Sequence, residues 1–322
     1  MKTTKGLRAL GKSGIFVTPI GFGAMELSGG GGGIGRMFPV IAQEAKTAII
    51  KASLDGGVNW IDTAEIYGAG VSERSVATAL KELGVSSGEV VIATKWFPIF
   101  RTARSIPRTI DARRRFLDGY PIDLYMVHNP YGFSSVEEEM DAMAALAEQG
   151  MIRSVGVSNF SALAMRRAHA RLSAHGLPLA VNQVNFSLLH RAIETNGVLE
   201  TAKELGVTIV AYTPLASGLL TGKYHERPEL VDAKGGFRRR QIRRRLEPTR
   251  VLLRLMAEIA RGHDATVAQV ALSWTVNFHG ESIVAIPGAS KESQAAESAA
   301  AMGLRLSGEE MERLDELTRE YR

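Results

Sequence analysis

Four side chains capable of acid–base chemistry stand at or just beyond the ends of three short apolar runs. Asp62 ends a run that begins at Trp60, Tyr67 follows it across a polar turn, and Lys95 and His128 end the next two runs. Taken singly, each residue type has an ordinary use as a turn, packing, solvated or structural residue. Their shared position in consecutive β-α units indicates a joint role, because strand ends meet on one face of a parallel barrel.

If these side chains converge, they could protonate an oxyanion as it forms. A charged Lys95 beside the phenol of Tyr67 is expected to lower the pKa of that phenol, and Asp62 is expected to keep Lys95 charged. A neutral His128 can orient a carbonyl oxygen or share its proton. The sequence shows no poised covalent nucleophile and no metal-ligand cluster. The natural partner of such a site is hydride transfer to a carbonyl from a nicotinamide cofactor.

The elements that must position these residues alternate between strand and helix. After the strands that end at Asp62, Lys95 and His128, further strands are predicted at residues 152–157, 180–184, 207–212 and 283–286. With the run into Gly21 they give eight β-α units. The sequence therefore predicts an α/β fold, a (β/α)8 TIM barrel, as a single domain over residues 1–322.

Capping signals and glycines mark the helices between these strands. Ser72 is predicted to cap one helix, and Ser135 with Glu138 forms a capping-box pattern for another. The Arg-rich stretch 101–117 is predicted to become helical after Pro107.

Three segments interrupt the alternation. Residues 6–20 are predicted to form a hairpin that plugs the bottom of the barrel. The run from Gly29 to Gly35 contains G-x-G-x-x-G, but the dinucleotide fingerprint needs a preceding strand and a helix opening on the last glycine. A flexible loop near the barrel mouth is predicted there. Residues 224–249 are read as a long irregular loop, either a cofactor or substrate lid or a surface insertion.

Composition narrows the classes of function. The chain has 322 residues, 45% hydrophobic and 23% charged, which is typical of a soluble globular protein. The absence of Cys excludes disulfides, thiolate metal sites and a Cys nucleophile. No apolar run has the length of a signal peptide or a membrane span, so we expect a cytoplasmic protein without a membrane partner.

The net charge is +5, with arginines clustered at 113–115 and 238–245. Because no aromatic interleaving or nucleic-acid motif accompanies these clusters, we expect no nucleic-acid partner.

Several motifs together resemble those of the aldo-keto reductases, from about Leu10 to the C-terminus. They are DTAEIYG (62–68), ATK (93–95), DLYMVHNP (123–130), GVSNFS (156–161), VNQVNFSLLHR (181–191), AYTPLASGLLTGKY (211–224) and IPGASK (286–291). The resemblance implies an NAD(P)H-dependent oxidoreductase that reduces an aldehyde or ketone to an alcohol without metal or flavin. It assigns Tyr67 as general acid, Lys95 and Asp62 as the pair that tunes it, and His128 as the substrate-orienting residue.

The same resemblance implies a set of cofactor-binding residues. Ser158, Asn159 and Gln183 would hold the nicotinamide carboxamide, and Tyr212 would stack on the nicotinamide ring. The nicotinamide pocket would be bordered by Gly23, Ala24, Met25 and Asp62. Along the pyrophosphate and towards the adenosine, the implied residues are Thr213, Pro214, Leu215, Ser217, Gly218, Leu220, Ile286, Gly288, Ser290, Lys291, Gln294, Glu297 and Ser298.

The adenosine positions depart from the family pattern. Gln294 stands where family members that bind NADP commonly have Arg, and Ser298 where they have Asn. Ser290 and Lys291 are then the remaining candidates for the 2′-phosphate. One of the arginines at 238–245 could also reach that phosphate, or these arginines could form a solvated helix face. NADP(H) is the expected cofactor, and NAD(H) is the open alternative.

Loops after the catalytic strands set substrate selectivity. They predict a mostly apolar or aromatic pocket, although each residue could equally pack at its rim: Met25, Tyr67, Trp96, Phe97, His128, Asn129 and Tyr131. The expected partner is a small-molecule carbonyl substrate. An alternative is a regulatory barrel that binds the cofactor and acts mainly through a partner protein. The identity of the carbonyl and the oligomeric state are left open.

Overall fold

The computed structural model describes residues 6–233 and 235–322, apart from the side chains of Phe237, Arg238 and Gln241. Eight strands form one parallel sheet in which each strand pairs with the next along the chain. The first and eighth strands meet through parallel bridges, Ile20 with Ala285 and Gly23 with Gly288. The predicted (β/α)8 barrel is confirmed. Its strands are Phe22–Gly23, Trp60–Asp62, Val91–Trp96, Leu124–Val127, Ser154–Ser158, Leu179–Asn185, Thr208–Tyr212 and Ile283–Ala285.

Helices cover the outside of this sheet. The capping box of Ser135 and Glu138 is confirmed, with the Ser135 hydroxyl accepting the Glu138 backbone N–H. The Arg-rich helix has Pro107 in its first turn, where a missing N–H costs nothing. The helices are Gln43–Asp55, Val71–Glu82, Ile106–Phe116, Val136–Glu148, Ala162–Ala174, Val198–Leu205, Lys223–Glu226, Glu229–Asp232, Gly236–Gly262, Val267–Asn277, Glu292–Ala300 and Gly308–Thr318. Among the helices so described, none has the length and apolar character to span a membrane.

The inward faces of the strands carry both the inner core and the site. Side chains alternate sides along a strand, so Ala93 points the same way as Lys95, and Met126 the same way as His128. The inward residues near the strand starts pack together with Leu10, Ile15 and Val17 of the hairpin. That hairpin pairs Arg8–Ala9 with Phe16–Val17, which confirms the predicted plug at the bottom of the barrel.

The prediction that Ser72 caps a helix is wrong. The helix begins at Val71, and its N-cap is Gly70 in a left-handed conformation with φ of 88°. The Ser72 hydroxyl instead donates to the Ala24 carbonyl at 2.7 Å and accepts from the Thr63 hydroxyl at 2.8 Å. Tertiary partners next to Asp62 therefore occupy the hydroxyl that could have capped the helix.

The prediction of a loop at Gly29–Gly35 is also wrong in part, because the segment contains a short strand. Gly32–Gly33 forms a short antiparallel pair with Tyr67–Gly68, which follows Asp62 across the turn. The glycines permit this contact because they lack side chains. A Cβ placed on Gly31 would lie 2.4 Å from the Cα of Gly68.

Most of the described residues between 224 and 249 are helical, contrary to the prediction of an irregular loop. The longest helix there, Gly236–Gly262, continues through Pro248. Ile242 and Thr249 are buried on one side, while the arginines at 239, 240 and 243–245 are exposed. The side chain of Arg238 lies outside the described residues. Charged residues dominate the first part of this helix, residues 236–250, and leave too few apolar positions there for the sequence to show a 3.6-residue period.

Candidate active site

The structure brings the four predicted catalytic side chains together at the C-terminal ends of the second, third and fourth strands. Asp62 Oδ1 and Lys95 Nζ form a buried ion pair at 2.5 Å. Lys95 also donates to the Thr63 carbonyl at 2.9 Å. Its Nζ lies 5.1 Å from the centroid of the Tyr67 ring, and that ring meets the His128 ring edge-on at 5.8 Å.

Burial dominates the protonation state of Tyr67. It raises the pKa of the phenol well above its ordinary value, and the nearby Asp62, Glu26 and Tyr212 act in the same direction. The net lowering expected from Lys95 is therefore not observed, because burial outweighs it. The ammonium is committed to the Asp62 carboxylate and a backbone carbonyl, and it lies over the ring. Tyr67 is consequently a protonated phenol, the state that a general acid needs.

The Asp62–Lys95 pair is held by a third polar group. Burial raises the pKa of Asp62 and lowers that of Lys95, and the attraction between the two charges opposes both shifts. Gln183 Nε2 donates to Asp62 Oδ2 at 2.9 Å. Each oxygen of the carboxylate therefore has a partner, as a buried charge requires.

His128 is a neutral imidazole at neutral pH. Burial, together with the charge of Lys95, lowers its pKa to about 3. Its Nδ1 atom is buried and has no hydrogen-bond partner among the described residues. A neutral ring with an unused nitrogen can donate to or accept from a substrate oxygen, depending on its tautomer.

Hydrogen bonds lead from Asp62 to the residues implied for the carboxamide. The backbone carbonyl of Gln183 accepts the Ser158 hydroxyl at 2.8 Å, and Asn159 Nδ2 donates to Ser158 Oγ at 3.1 Å. The Tyr212 hydroxyl donates to Asn159 Oδ1 at 3.0 Å. This set offers amide and hydroxyl groups beside a partly exposed aromatic ring, which fits a carboxamide on a flat heterocycle.

The loop after the seventh strand has unusual backbone geometry. Thr213, Ala216 and Ser217 have positive φ values of 53°, 47° and 57°, and Gly218 follows at 90°. Non-glycine residues seldom adopt this conformation, and such strain concentrates at functional sites. Turns that alternate backbone handedness direct N–H groups into anion-binding concavities. The loop is therefore a candidate for the pyrophosphate role, although the N–H groups of Ala216 and Gly218 already donate to carbonyls within it. The side chains of Pro214 and Leu220 are buried.

Comparison with known proteins decides the family, since the Aldo/keto reductase family model matches residues 19–319. The chain belongs to the aldo/keto reductase family. An uncharacterized oxidoreductase of Mycobacterium tuberculosis is 37% identical over 309 residues, covering 95% of this chain and 91% of that protein. A thermostable aldo-keto reductase crystallised with the inhibitor epalrestat has a TM-score of 0.75 and 30% identity, with 97% of this chain and 99% of that chain covered. An aldo/keto reductase from Klebsiella pneumoniae in complex with NADP and acetate has a TM-score of 0.72 and 27% identity, with 97% and 95% covered.

At the predicted adenosine end, Gln294 and Ser290 bond to each other. Gln294 Oε1 accepts both the backbone N–H and the hydroxyl of Ser290, at 2.9 and 3.3 Å. Ser298 is buried, Glu297 is half-buried, and Lys291 is exposed. Of these, Lys291 offers an accessible positive charge.

Most of the predicted pocket residues lie at the mouth, but the prediction for Trp96 is wrong. The Phe97 ring meets the His128 ring edge-on at 6.0 Å, and Tyr131 is 67% exposed. Met25 and Asn129 are half-buried. Trp96 is fully buried and donates its indole N–H to the Ser105 hydroxyl at 3.0 Å. Because Lys95 points into the barrel, the next side chain points outward between strands and helices.

Sequence reasoning missed two acidic residues near Tyr67. Glu26 lies against the last strand's loop, since a Cβ on Gly288 would meet its carboxylate, and it contributes to the raised pKa of Tyr67. Glu65 lies within the DTAEIYG motif and pairs with the buried Arg113. The sequence contains one indication that Arg113 is buried, because Arg113 follows the apolar Ile110 by three positions and lies on the same helix face. The adjacent Arg114 and Arg115 instead suggested a cluster of solvated arginines.

Proposed function

We propose that this aldo/keto reductase reduces an aldehyde or ketone to an alcohol, with NADP(H) as cofactor and Tyr67 as general acid. The observation that carries the proposal is the meeting of a protonated Tyr67 with Lys95 and a neutral His128 in one cluster at the strand ends. Family membership supplies the oxidoreductase class.

In the proposed reaction the nicotinamide, when bound, supplies a hydride to the carbonyl carbon. His128 orients the carbonyl oxygen, and the Tyr67 hydroxyl gives its proton to that oxygen as negative charge forms on it. The ammonium of Lys95, 5.1 Å from the Tyr67 ring centroid, offsets the charge left on the phenolate. Asp62, which accepts a hydrogen bond from Gln183, holds that ammonium in place. The buried setting strengthens each of these interactions.

The choice of NADP(H) over NAD(H) rests on Lys291. The backbone N–H and the hydroxyl of Ser290 both donate to Gln294. Lys291 is therefore the group proposed to bind a 2′-phosphate. The Klebsiella pneumoniae relative in complex with NADP supports this choice.

The test begins with fluorescence titrations of the purified protein with NADPH and NADH, followed by a panel of aldehydes and ketones. Tyr67→Phe should lower kcat by about 10²-fold or more, the usual scale for a general acid, while the Kd for NADPH stays nearly unchanged. Wild-type turnover in Tyr67→Phe would remove Tyr67 from the mechanism. Tight NADPH binding by the wild-type protein without turnover of any carbonyl would favour the regulatory alternative.

A further inference from the structure

We infer that Glu65 is a positioning residue, which holds the turn bearing Tyr67 against the loop that forms the pocket wall. The inference rests on the proposed function, because it concerns the placement of the same general acid. Glu65 would act through Tyr67 and Phe97 and would not itself touch the substrate.

Glu65 links the Tyr67 turn to the end of the third strand at two points. Its backbone N–H donates to the Lys95 carbonyl at 3.2 Å. Its Oε2 atom accepts the Phe97 backbone N–H at 3.0 Å. The residue therefore joins the turn between Asp62 and Tyr67 to the residues on either side of Trp96.

The other carboxylate oxygen of Glu65 is held by two arginines. Its Oε1 atom lies 2.8 Å from Arg101 and 3.2 Å from Arg113. Arg113 is buried and also forms an ion pair with Glu73, at 3.0 Å. Glu73 in turn accepts the hydroxyl of Thr94, the residue before Lys95. Two cations, one of them buried, therefore restrain this carboxylate.

Two aromatic rings that contact His128 therefore depend on one carboxylate. The Tyr67 ring lies 5.8 Å from the His128 ring, and the Phe97 ring lies 6.0 Å from it. Removing the Glu65 carboxylate would release the Phe97 N–H and leave Arg113 with Glu73 alone. Displacing a reacting group by about 1 Å can cost roughly 10²-fold in rate.

A residue that served stability alone would behave differently, and Glu194 provides the matched control. Its side chain is 6% exposed, against 13% for Glu65, and it pairs with the fully buried Arg191. Its other ion-pair partners, His279 and Arg322, lie outside the predicted site. Glu194→Ala should therefore lower Tm and leave kcat within about two-fold, since it removes a similar buried pair elsewhere.

The experiment compares Glu65→Ala, Glu65→Gln and Glu194→Ala by Tm, NADPH Kd, kcat and KM. We expect Glu65→Ala to lower kcat at least 10-fold while the Kd for NADPH stays within about two-fold. Glu65→Gln keeps an acceptor for the Phe97 N–H, so it should recover a large part of kcat and remains available if the alanine variant does not fold. Equal kcat values in Glu65→Ala and Glu194→Ala would overturn the inference.

A double-mutant cycle with Tyr67→Phe separates this inference from the proposed function. If Glu65 acts through Tyr67, Glu65→Ala adds little further loss of kcat in the Tyr67→Phe background. Fully multiplicative losses would overturn the positioning role, whereas wild-type turnover in Tyr67→Phe alone would overturn the function. Crystal structures of both Glu65 variants give a readout independent of turnover: a Tyr67 ring unmoved relative to Lys95 in both would also refute the inference.

Discussion

At the scale of single residues, His128 makes the stability of the fold depend on pH. Its pKa is about 3 in the folded protein, against an ordinary value of 6.5. As the pH falls below 6.5, the unfolded chain binds a proton that the folded chain rejects. The free energy of unfolding should therefore decrease from pH 6.5 towards pH 3, by up to about 1.4 kcal/mol per pH unit from this group.

His128→Asn isolates this contribution in urea unfolding at pH 4.5, 5.5 and 7.5. The difference in unfolding free energy between wild type and variant should change in favour of the variant as the pH falls. Glu139 and Glu73 have raised pKa values, about 8 and about 7, and burial is the main cause for both. Their contribution to the free energy of unfolding falls as the pH rises above 4.5, which is opposite to the trend expected from His128. Because wild type and variant both contain these glutamates, their contribution cancels in the difference. A difference independent of pH would contradict the neutral His128.

The residues that meet in the candidate site could be predicted from the sequence, but their electrostatics could not. Asp62, Lys95 and His128 each end an apolar run, and alternation along strands determines that they face inward. The pKa of Tyr67 depends on where the Lys95 ammonium points and on how much water reaches the phenol. Both depend on side-chain packing from distant parts of the chain, such as Gln183 on the sixth strand.

At the scale of elements, the glycine-rich strand Gly32–Gly33 supports the turn after Tyr67. A Cβ on Gly31 would lie 2.4 Å from both the Cα and the carbonyl oxygen of Gly68, so backbone must shift to admit it. Gly31→Ala should therefore lower kcat by about 10-fold or more, because the displaced residue is bonded directly to Tyr67.

Gly32→Ala is the control for this prediction. A Cβ on Gly32 would meet only the Ala69 Cβ, at 3.8 Å, which is ordinary contact. Its kcat and Tm should stay close to those of the wild type. Steady-state kinetics and thermal unfolding of Gly31→Ala and Gly32→Ala test the prediction. Indistinguishable kcat values for the two variants would mean that the turn does not depend on the contact between Gly31 and Gly68.

The sequence predicted elements well where apolar pattern and burial agree. The eight strands follow this rule, because an apolar run bounded by turn residues predicts a buried parallel strand. The rule fails at Gly29–Gly35, where close backbone approach replaces side-chain packing. It fails again in Gly236–Gly262, where the buried Ile242 is surrounded by arginines. In both segments the ordering contacts come from residues distant in sequence, which a local pattern does not contain.

At the scale of the whole molecule, the hairpin core that stabilises the barrel and the candidate site lie at opposite ends of the barrel. The hairpin fills the N-terminal end, where Leu10, Ile15 and Val17 pack with inward residues such as Trp60 and Leu124. The candidate site occupies the opposite end, where the strands carry Asp62, Lys95 and His128. A change in the plug should therefore alter the free energy of unfolding and leave the kinetic constants unaffected.

Ile15 and Phe16 offer a matched pair for testing this separation. Ile15 is 1% exposed inside the barrel, while its neighbour Phe16 is 46% exposed. Ile15→Ala should cost about 2–5 kcal/mol of unfolding free energy, because it leaves a cavity in a closed core that cannot collapse. Phe16→Ala should change stability by about 0.5 kcal/mol, the scale of surface substitutions. Urea unfolding measures both, and kcat with NADPH should match wild type in each. A loss of kcat in Ile15→Ala below its unfolding transition would show that strain in the plug reaches the site through the strands.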